Sequence, residues 1–328
     1  MAIPTSIVGT GAGPQQHEVD ARWLMAYAAA LGDTHPCYFD TRAAEPIVGH
    51  PLFPVCPEWP VIVASRQATE AVGVPASEVR QGVHATHDLE IYRLVRPGDV
   101  LTTTLTNVGL EPRKPGAYST VRLETVDSHG ELVAVTHQGS LYLGVDAEGT
   151  ARLDGADPSN GADPSNGADP SNGTGSEGDH DGTWISRPHL RRDQCLDADL
   201  VAEVTVEIPA GAAHTYTECA RIWNPIHTDQ AVAEAAGLPG LILHGTATLA
   251  HGVSQVVNHT SGGHPGRVRR IVGRFGAMVL MPSTITVQVY APRSETVEGV
   301  DYQVVPFVVR NEQGQPAVDQ AAVYLAAT

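Results

Sequence analysis

The segment Asn224-Pro225-Ile226-His227, followed by Thr228 and Asp229, holds the residue types in this chain best suited to moving a proton. Free imidazole titrates near pH ~6.5, so a neutral His227 is available as a base around neutrality. Pro225 fixes its own φ, and Ile226 is expected to point away from the site, into the core. Asn224 offers an amide that can orient a bound group. An acid beside such a histidine would complete an acid–base pair, yet Ile222, five positions earlier, cannot move a proton.

The elements that must position this segment are legible from periodicity. In the first half, DARWLMAYAAALGD (20–33) has apolar residues at helical spacing and ends at a Gly-Asp turn. The loop GHPLFPVCP follows, and then EWPVIVASRQATEAVG, an apolar helix stopped by glycine. Strands are expected at ATHDLEIYRLV, VLTTTLTNVGLE, STVRLETVDS and LVAVTHQGSLYLG. The second half repeats the plan: a strand VAEVTVEI, the segment HTYTECARIWNPIH, a helix start at QAVAEAAGL, the loop PGLILHG and the apolar helix TATLAHGVSQVVNH. Its strands are VRRIVGRFG, STITVQVYAP, VDYQVVPFVVR and AVDQAAVYLAA. An apolar helix needs a sheet to wrap it, so the pattern is an α+β unit used twice.

Between the halves GADPSN occurs three times, at 155–160, 161–166 and 167–172. Gly, Pro, Asp, Ser and Asn without periodic apolar residues cannot bury a core, so 146–185 reads as a flexible linker between folded units at 1–145 and 186–328. That linker holds nine acidic residues and one basic, about half of the formal charge of -17. The charge disfavours nucleic acid and anionic membrane surfaces as partners. No apolar run approaches the ~18 residues of a spanning helix, and MAIPTSIVGTGAGPQQHEVD lacks the pattern of a signal peptide. A cytoplasmic location is expected. Cys37, Cys56, Cys195 and Cys219 form no CxxC pair and read as reduced thiols, with no metal site expected.

Taken together, NPIHTD (224–229), GLPGLILHGTATLA (237–250) and RFGAMVLMP (274–282), with LGDTHPCYFD (31–40), HPLFPVCPEWP (50–60) and HDLEIYRLVRPGDVL (87–101) in the first half, resemble the MaoC-like, or hydratase 2, branch of the hot-dog superfamily in its double form. The resemblance covers nearly the whole chain apart from the N-terminal tip and the linker. It implies a double hot-dog, in which each half wraps a long helix in antiparallel sheet and the halves pack as a pseudo-dimer around a thioester tunnel. It further implies hydration of a 2-enoyl thioester, or dehydration of the 3-hydroxyacyl thioester, on coenzyme A or a carrier protein. No metal or redox cofactor is implied, and a homodimer is one expected assembly.

The family motif D-x-N-P-x-H places a histidine at His227 and an asparagine at Asn224, while its aspartate falls on Ile222. Three carboxylates are candidates for the missing acid. Glu218 would share a face with Ile222 if 214–222 is helical. Asp33 is the first-half counterpart of the motif aspartate, with His35 and Tyr38 at the asparagine and histidine positions. Asp229 is better placed to cap the next helix. Gly245 and Thr246, at the start of the second apolar helix, are expected to offer backbone N–H groups to a developing oxyanion, although the glycine also fits a purely steric need. His244 is expected to be structural, and Glu58 and Trp59, at the first-half helix start, to line the tunnel. Arg274 is a candidate for the coenzyme's phosphates or an exposed strand arginine, with Arg269 and Arg270 as equal alternatives. Thioester hydrolysis and binding without catalysis are the competing functions, because the motif acid is missing.

Overall fold

The computed structural model describes residues 2–79, 82–153 and 198–327. The GADPSN repeats and Cys195 lie outside the described residues; Cys37, Cys56 and Cys219 are free thiols. The first half comprises β1 (Ala2–Ile3), β2 (Gly11–Glu18), α1 (Ala21–Ala30), α2 (Pro36–Phe39), α3 (Val55–Ala71), α4 (Ala76–Val79), β3 (Gly82–Ile91), β4 (Val100–Arg113), β5 (Gly116–Val126), β6 (Leu132–Leu143), β7 (Asp146–Ala147) and β8 (Ala151–Arg152). The second comprises β9 (Leu200–Ile208), α5 (Ala212–Ala220), α6 (Gln230–Ala235), α7 (Gly245–Thr260), β10 (Val268–Phe275), β11 (Ser283–Tyr290), β12 (Arg293–Val297), β13 (Val300–Arg310) and β14 (Pro316–Ala326).

One sheet runs through both halves in the order β2-β4-β5-β6-β3-β10-β14-β13-β11-β9. From the β3–β10 seam outward, each half lays down its second, fifth, fourth, third and first long strand, so the halves are related by a pseudo-two-fold axis at the seam. Neighbours on this path are antiparallel, as hairpin-built sheets require. Each half thus has the expected helix and antiparallel sheet, and the whole is a double hot-dog.

α7 is buried along most of its length, through Ala247, Leu249, Ala250, Val253, Val256 and Val257, against β10, β11, β13 and β14. Gly252 sits where the sheet comes closest: a Cβ there would lie 2.3 Å from the Phe307 ring. α3 packs on β2 and β4, and α1 packs on α5 across the pseudo-axis. One apolar cluster includes Val55 and Cys56 of α3, Trp23 and Tyr27 of α1, Tyr216 of α5 and Leu249 of α7.

Three local details differ from expectation. α3 begins at Val55 rather than Glu58, with Pro57 in its first turn, where a missing N–H leaves no helical bond unmade. β2 has no apolar alternation and is held by its backbone ladder to β4. Residues 146–152, expected to begin the linker, instead pair into the fold: β7 with β1, and β8 with β4. The apolar residues Ile3, Leu110 and Val145 pack together there. Among the described residues no helix is long and apolar enough to cross a membrane.

The seam carries a buried ion pair. Arg270 on β10 donates from Nε and Nη2 to both carboxylate oxygens of Asp88 on β3, each at 2.6 Å. Removing one partner leaves the other charge buried, so Asp88→Ala should destabilise the fold by about 3–5 kcal/mol. Replacing both with apolar residues, Asp88→Leu with Arg270→Met, should recover most of that loss. Urea unfolding of the single and double variants measures both values.

Candidate active site

α5 stops at Ala220 because Arg221 turns into the left-handed region, φ 59 and ψ 35, and the Ile222 N–H reaches back to the Thr217 carbonyl at 3.1 Å. A non-glycine residue there is held at a cost. The Arg221 guanidinium lies 3.8 Å from the centroid of the Trp23 ring, a cation–π contact that offsets part of it. This turn removes the premise for Glu218. Ile222 lies beyond the helix, so Glu218 shares no helical face with it, and its side chain is exposed on α5.

After the turn, Pro225–His227 forms a short 3-10 helix with the His227 N–H donating to the Asn224 carbonyl at 3.2 Å. Asp229 caps α6, accepting from the N–H groups of Ala231 and Val232 at 2.9 and 3.2 Å, as its position suggests. The His227 ring is buried, with Nδ1 2.9 Å from the Ile242 carbonyl. A carbonyl only accepts, so Nδ1 carries the hydrogen and Nε2 keeps its lone pair. Burial pulls His227 down to about 4, against a smaller opposing effect of the Ile242 carbonyl. The ring is therefore neutral at physiological pH.

His227 stacks on His244, with ring centroids 3.8 Å apart. His244 precedes α7 and places Nε2 3.2 Å from Thr217 Oγ1. Burial, then the neighbouring His227, hold it down to about 2. Tyr216 donates to Thr246 Oγ1 at 3.1 Å, and its hydroxyl lies 3.3 Å from that of Tyr27. Gly245 opens α7, where the first amides lack acceptors in their own helix. The glycine also meets its steric need: a Cβ would stand 3.2 Å from the Phe275 ring.

The first half repeats this frame with other chemistry. Tyr27 precedes Asp33 by the same spacing as Tyr216 precedes Ile222, and Gly32 (φ 66) takes the left-handed place of Arg221. His35 leads into Pro36 as Asn224 leads into Pro225. The Tyr38 ring lies 5.9 Å from His50 where His227 lies against His244. At the helix start the halves diverge: the Val55 and Cys56 amides already donate to Leu52 and Phe53 carbonyls, at 3.3 and 2.9 Å.

None of the three expected acids meets His227. Asp33 is buried on the other side of the pseudo-axis, lining a cavity of ≈ 640 Å³ with His35, His251 and Ser254. Ile222 is buried in the main apolar cluster. Arg274 is corrected as well: it forms a two-pronged ion pair with Asp319 on β14, at 2.8 and 2.6 Å, its cross-strand neighbour. That fork is occupied rather than free for a phosphate. Arg269 binds the Gly266 and Val268 carbonyls, both at 2.9 Å, and Arg270 binds Asp88. Asn224 is half-buried and makes no side-chain hydrogen bond among the described residues. No group of three or more metal-ligating side chains occurs among the described residues.

Sequence reasoning missed the stacked His227–His244 pair, the Tyr27–Tyr216 contact and the polar positions His251 and Ser254 on α7. The repeated tyrosine spacing was a signal for the second. A His-x-x-Ser stripe on an otherwise apolar helix was a signal for the third.

Residues 194–310 match the MaoC like domain family, and residues 6–136 match the FAS1-like, dehydratase domain region family. The UPF0336 protein of Streptomyces griseus is 32% identical over 136 residues, 40% of this chain and 90% of that protein. The peroxisomal enoyl-CoA hydratase 2 of Arabidopsis thaliana is 34% identical over 68 residues, 21% of this chain and 22% of that one. A solved MaoC-like dehydratase from Phytophthora capsici superposes with a TM-score of 0.71 at 17% identity, covering 97% of each chain. A Mycobacterium tuberculosis protein with a double hot-dog fold gives a TM-score of 0.58 at 16% identity over 97% of this chain and 96% of its own. At these identities the structural likeness speaks for the fold.

Glu58, in the first turn of α3, has become a buried acid held by the Thr136 hydroxyl at 2.5 Å. Burial pushes it up to about 8, with the Thr136 bond opposing. Its folded value is raised, so its contribution is fully present below the unfolded value near 4.5 and is lost as pH rises toward 8. Glu58→Gln keeps an acceptor for Thr136 and cannot ionise. The melting temperature of this variant relative to the native protein should therefore climb from pH 5 to pH 8.

Proposed function

Because the chain belongs to the MaoC-like dehydratase family, we propose that it adds water to, or removes it from, the 2,3-bond of an acyl thioester, with His227 as the base. The observation that carries this reading is the fixed tautomer of His227: Nδ1 is tied to the Ile242 carbonyl, leaving Nε2 as the basic atom. The amides of Gly245 and Thr246 are the donors for the thioester oxygen, which becomes enolate-like in the transition state. The thioester is carried by coenzyme A or a carrier protein.

Ile222 replaces the motif acid, so a single base must serve both proton transfers. Neutral His227 takes a proton from water as the water oxygen bonds to C3 and the C2=C3 electron pair moves toward the thioester carbonyl. The resulting imidazolium then returns that proton to C2, giving the 3-hydroxyacyl thioester. Dehydration runs the same steps backwards. No carboxylate pairs with the ring among the described residues, so the imidazolium is formed without a counter-charge. The expected rate is below that of a site with an acid–base pair.

Incubation with crotonyl-CoA, following both enoyl absorbance and free thiol, tests the reaction. Loss of the enoyl chromophore without thiol release supports hydration, whereas thiol release with the chromophore intact identifies a thioesterase. His227→Ala should lower hydration by about 100-fold or more. An unchanged rate would remove His227 from the mechanism.

A base held down to about 4 stays unprotonated through the mildly acidic range. The kcat/KM of hydration should therefore be flat from neutrality to about pH 5 and fall only below it. A limb near pH ~6.5, the ordinary histidine value, would show that the ring is not buried in the working enzyme.

A further inference from the structure

The ≈ 640 Å³ cavity at Asp33 lies between the halves: the end of α1 and the loop after it form one wall, and β9, α5 and α7 form the other. Its polar wall includes Asp33 on the loop after α1 and His251 and Ser254 on α7, and Glu207, Gln255 and Asn258 line it as well. Ala30, Ile208 and Ala212 supply apolar wall, and no lysine or arginine lines it. Such a lining rejects phosphate and carboxylate ligands and admits neutral ones. The volume suits a small organic molecule.

The polar groups are poorly satisfied from within the protein. Asp33, 8% exposed, has one long hydrogen bond, from the His35 N–H at 3.4 Å. His251 is 9% exposed and makes no hydrogen bond among the described residues. Burial holds His251 down to about 4, so its ring offers one donor and one acceptor. Ser254 is oriented by a short relay. The Leu52 N–H donates to His50 Nδ1 at 3.1 Å, which places the ring hydrogen on Nε2, and Nε2 donates to Ser254 Oγ at 3.1 Å. The serine O–H is thereby free to donate. The cavity presents a carboxylate with one long hydrogen bond beside neutral donors that lack acceptors, the complement of an alcohol.

We propose that this cavity is a second binding site, which takes the neutral acyl–pantetheine end of a thioester and selects for a 3-hydroxyl group held between Asp33 and the His251–Ser254 pair. The pantetheine assignment rests on the thioester reading above, whereas hydroxyl selection rests on the cavity's own groups. No residue of α3 lines the cavity, so the start of that helix offers it no oxyanion donors. An enoyl or saturated chain would leave the carboxylate with only its long bond from the His35 N–H, which a buried polar site penalises.

The test uses two thioethers that undergo neither hydration nor hydrolysis, S-(3-hydroxybutyl)pantetheine and S-butylpantetheine, titrated calorimetrically into the full-length protein. The hydroxylated ligand should bind about tenfold or more tightly than the other. In histidine-labelled protein it should shift the His251 ring signal, assigned through its loss in His251→Phe. Asp33→Asn, chosen to preserve volume, should erase the preference, and His251→Phe should do so independently if the first variant folds poorly. Equal affinity for the two ligands, binding without a shift at His251, or no binding overturns the proposal. Failure of crotonyl-CoA hydration with the hydroxyl preference intact would instead remove the catalytic reading and leave this site standing.

Discussion

Pairing of β3 with β10 is the constraint from which the rest of the molecule follows. It makes one sheet of two halves and sets both strand orders running outward from the same seam. Helices that wrap onto such a sheet must share one core, and residues of α1, α3, α5 and α7 do lie in a single apolar cluster. A charge pair buried at that seam contributes little net stability by itself. Arg270 and Asp88 can bond in both prongs only when β3 and β10 pair in this register, so we read the pair as a specifier of register.

The same symmetry explains why the two sites differ. Each half supplies one loop after its first helix and one helix start, and drift in one half leaves the other free to keep its chemistry. The second half keeps a buried neutral histidine and an open helix start, His227 and Gly245. The first half keeps the carboxylate and closes its helix start, with the Val55 and Cys56 amides turned onto Leu52 and Phe53. A polar stretch of α7 faces Asp33, whereas Ile222 is packed among apolar side chains. The polarity of each position therefore agrees with its surroundings.

Much of the fold was legible because it rests on periodicity. The apolar stripes of α1 and α7 and the strand alternations give the elements directly, and repetition of the plan gives the two halves. Strands such as β2, β7 and β8 were not legible, since backbone ladders and contacts distant in sequence hold them. At the site, the position of His227 could be read from its motif, and the cap at Asp229 from residue type. The acid could not be placed, because that depended on where α5 ends. A left-handed arginine at 221 has no local sequence signal, and Trp23, which holds it, lies on another helix. The occupation of Arg274 by Asp319 is likewise a cross-strand fact.

Replacing an acid by Ile222 changes the base as well as removing a partner. A carboxylate beside His227 would favour imidazolium and raise its proton affinity. With only the Ile242 carbonyl opposing burial, the ring is a weaker base that is almost always unprotonated. Such a base is suited to drawing a proton from water already polarised by attack on an activated C3. It is less suited to removing a proton from C2, where the C–H bond is unactivated until the carbonyl oxygen is held. Both directions pass through the same transition states, so on the proposed reaction donors at the start of α7 would lower the barrier to hydration and dehydration alike. On the proposed reaction, a site with its acid removed and its oxyanion donors kept would shift the burden of catalysis from proton transfer toward electrostatic stabilisation of the thioester oxygen.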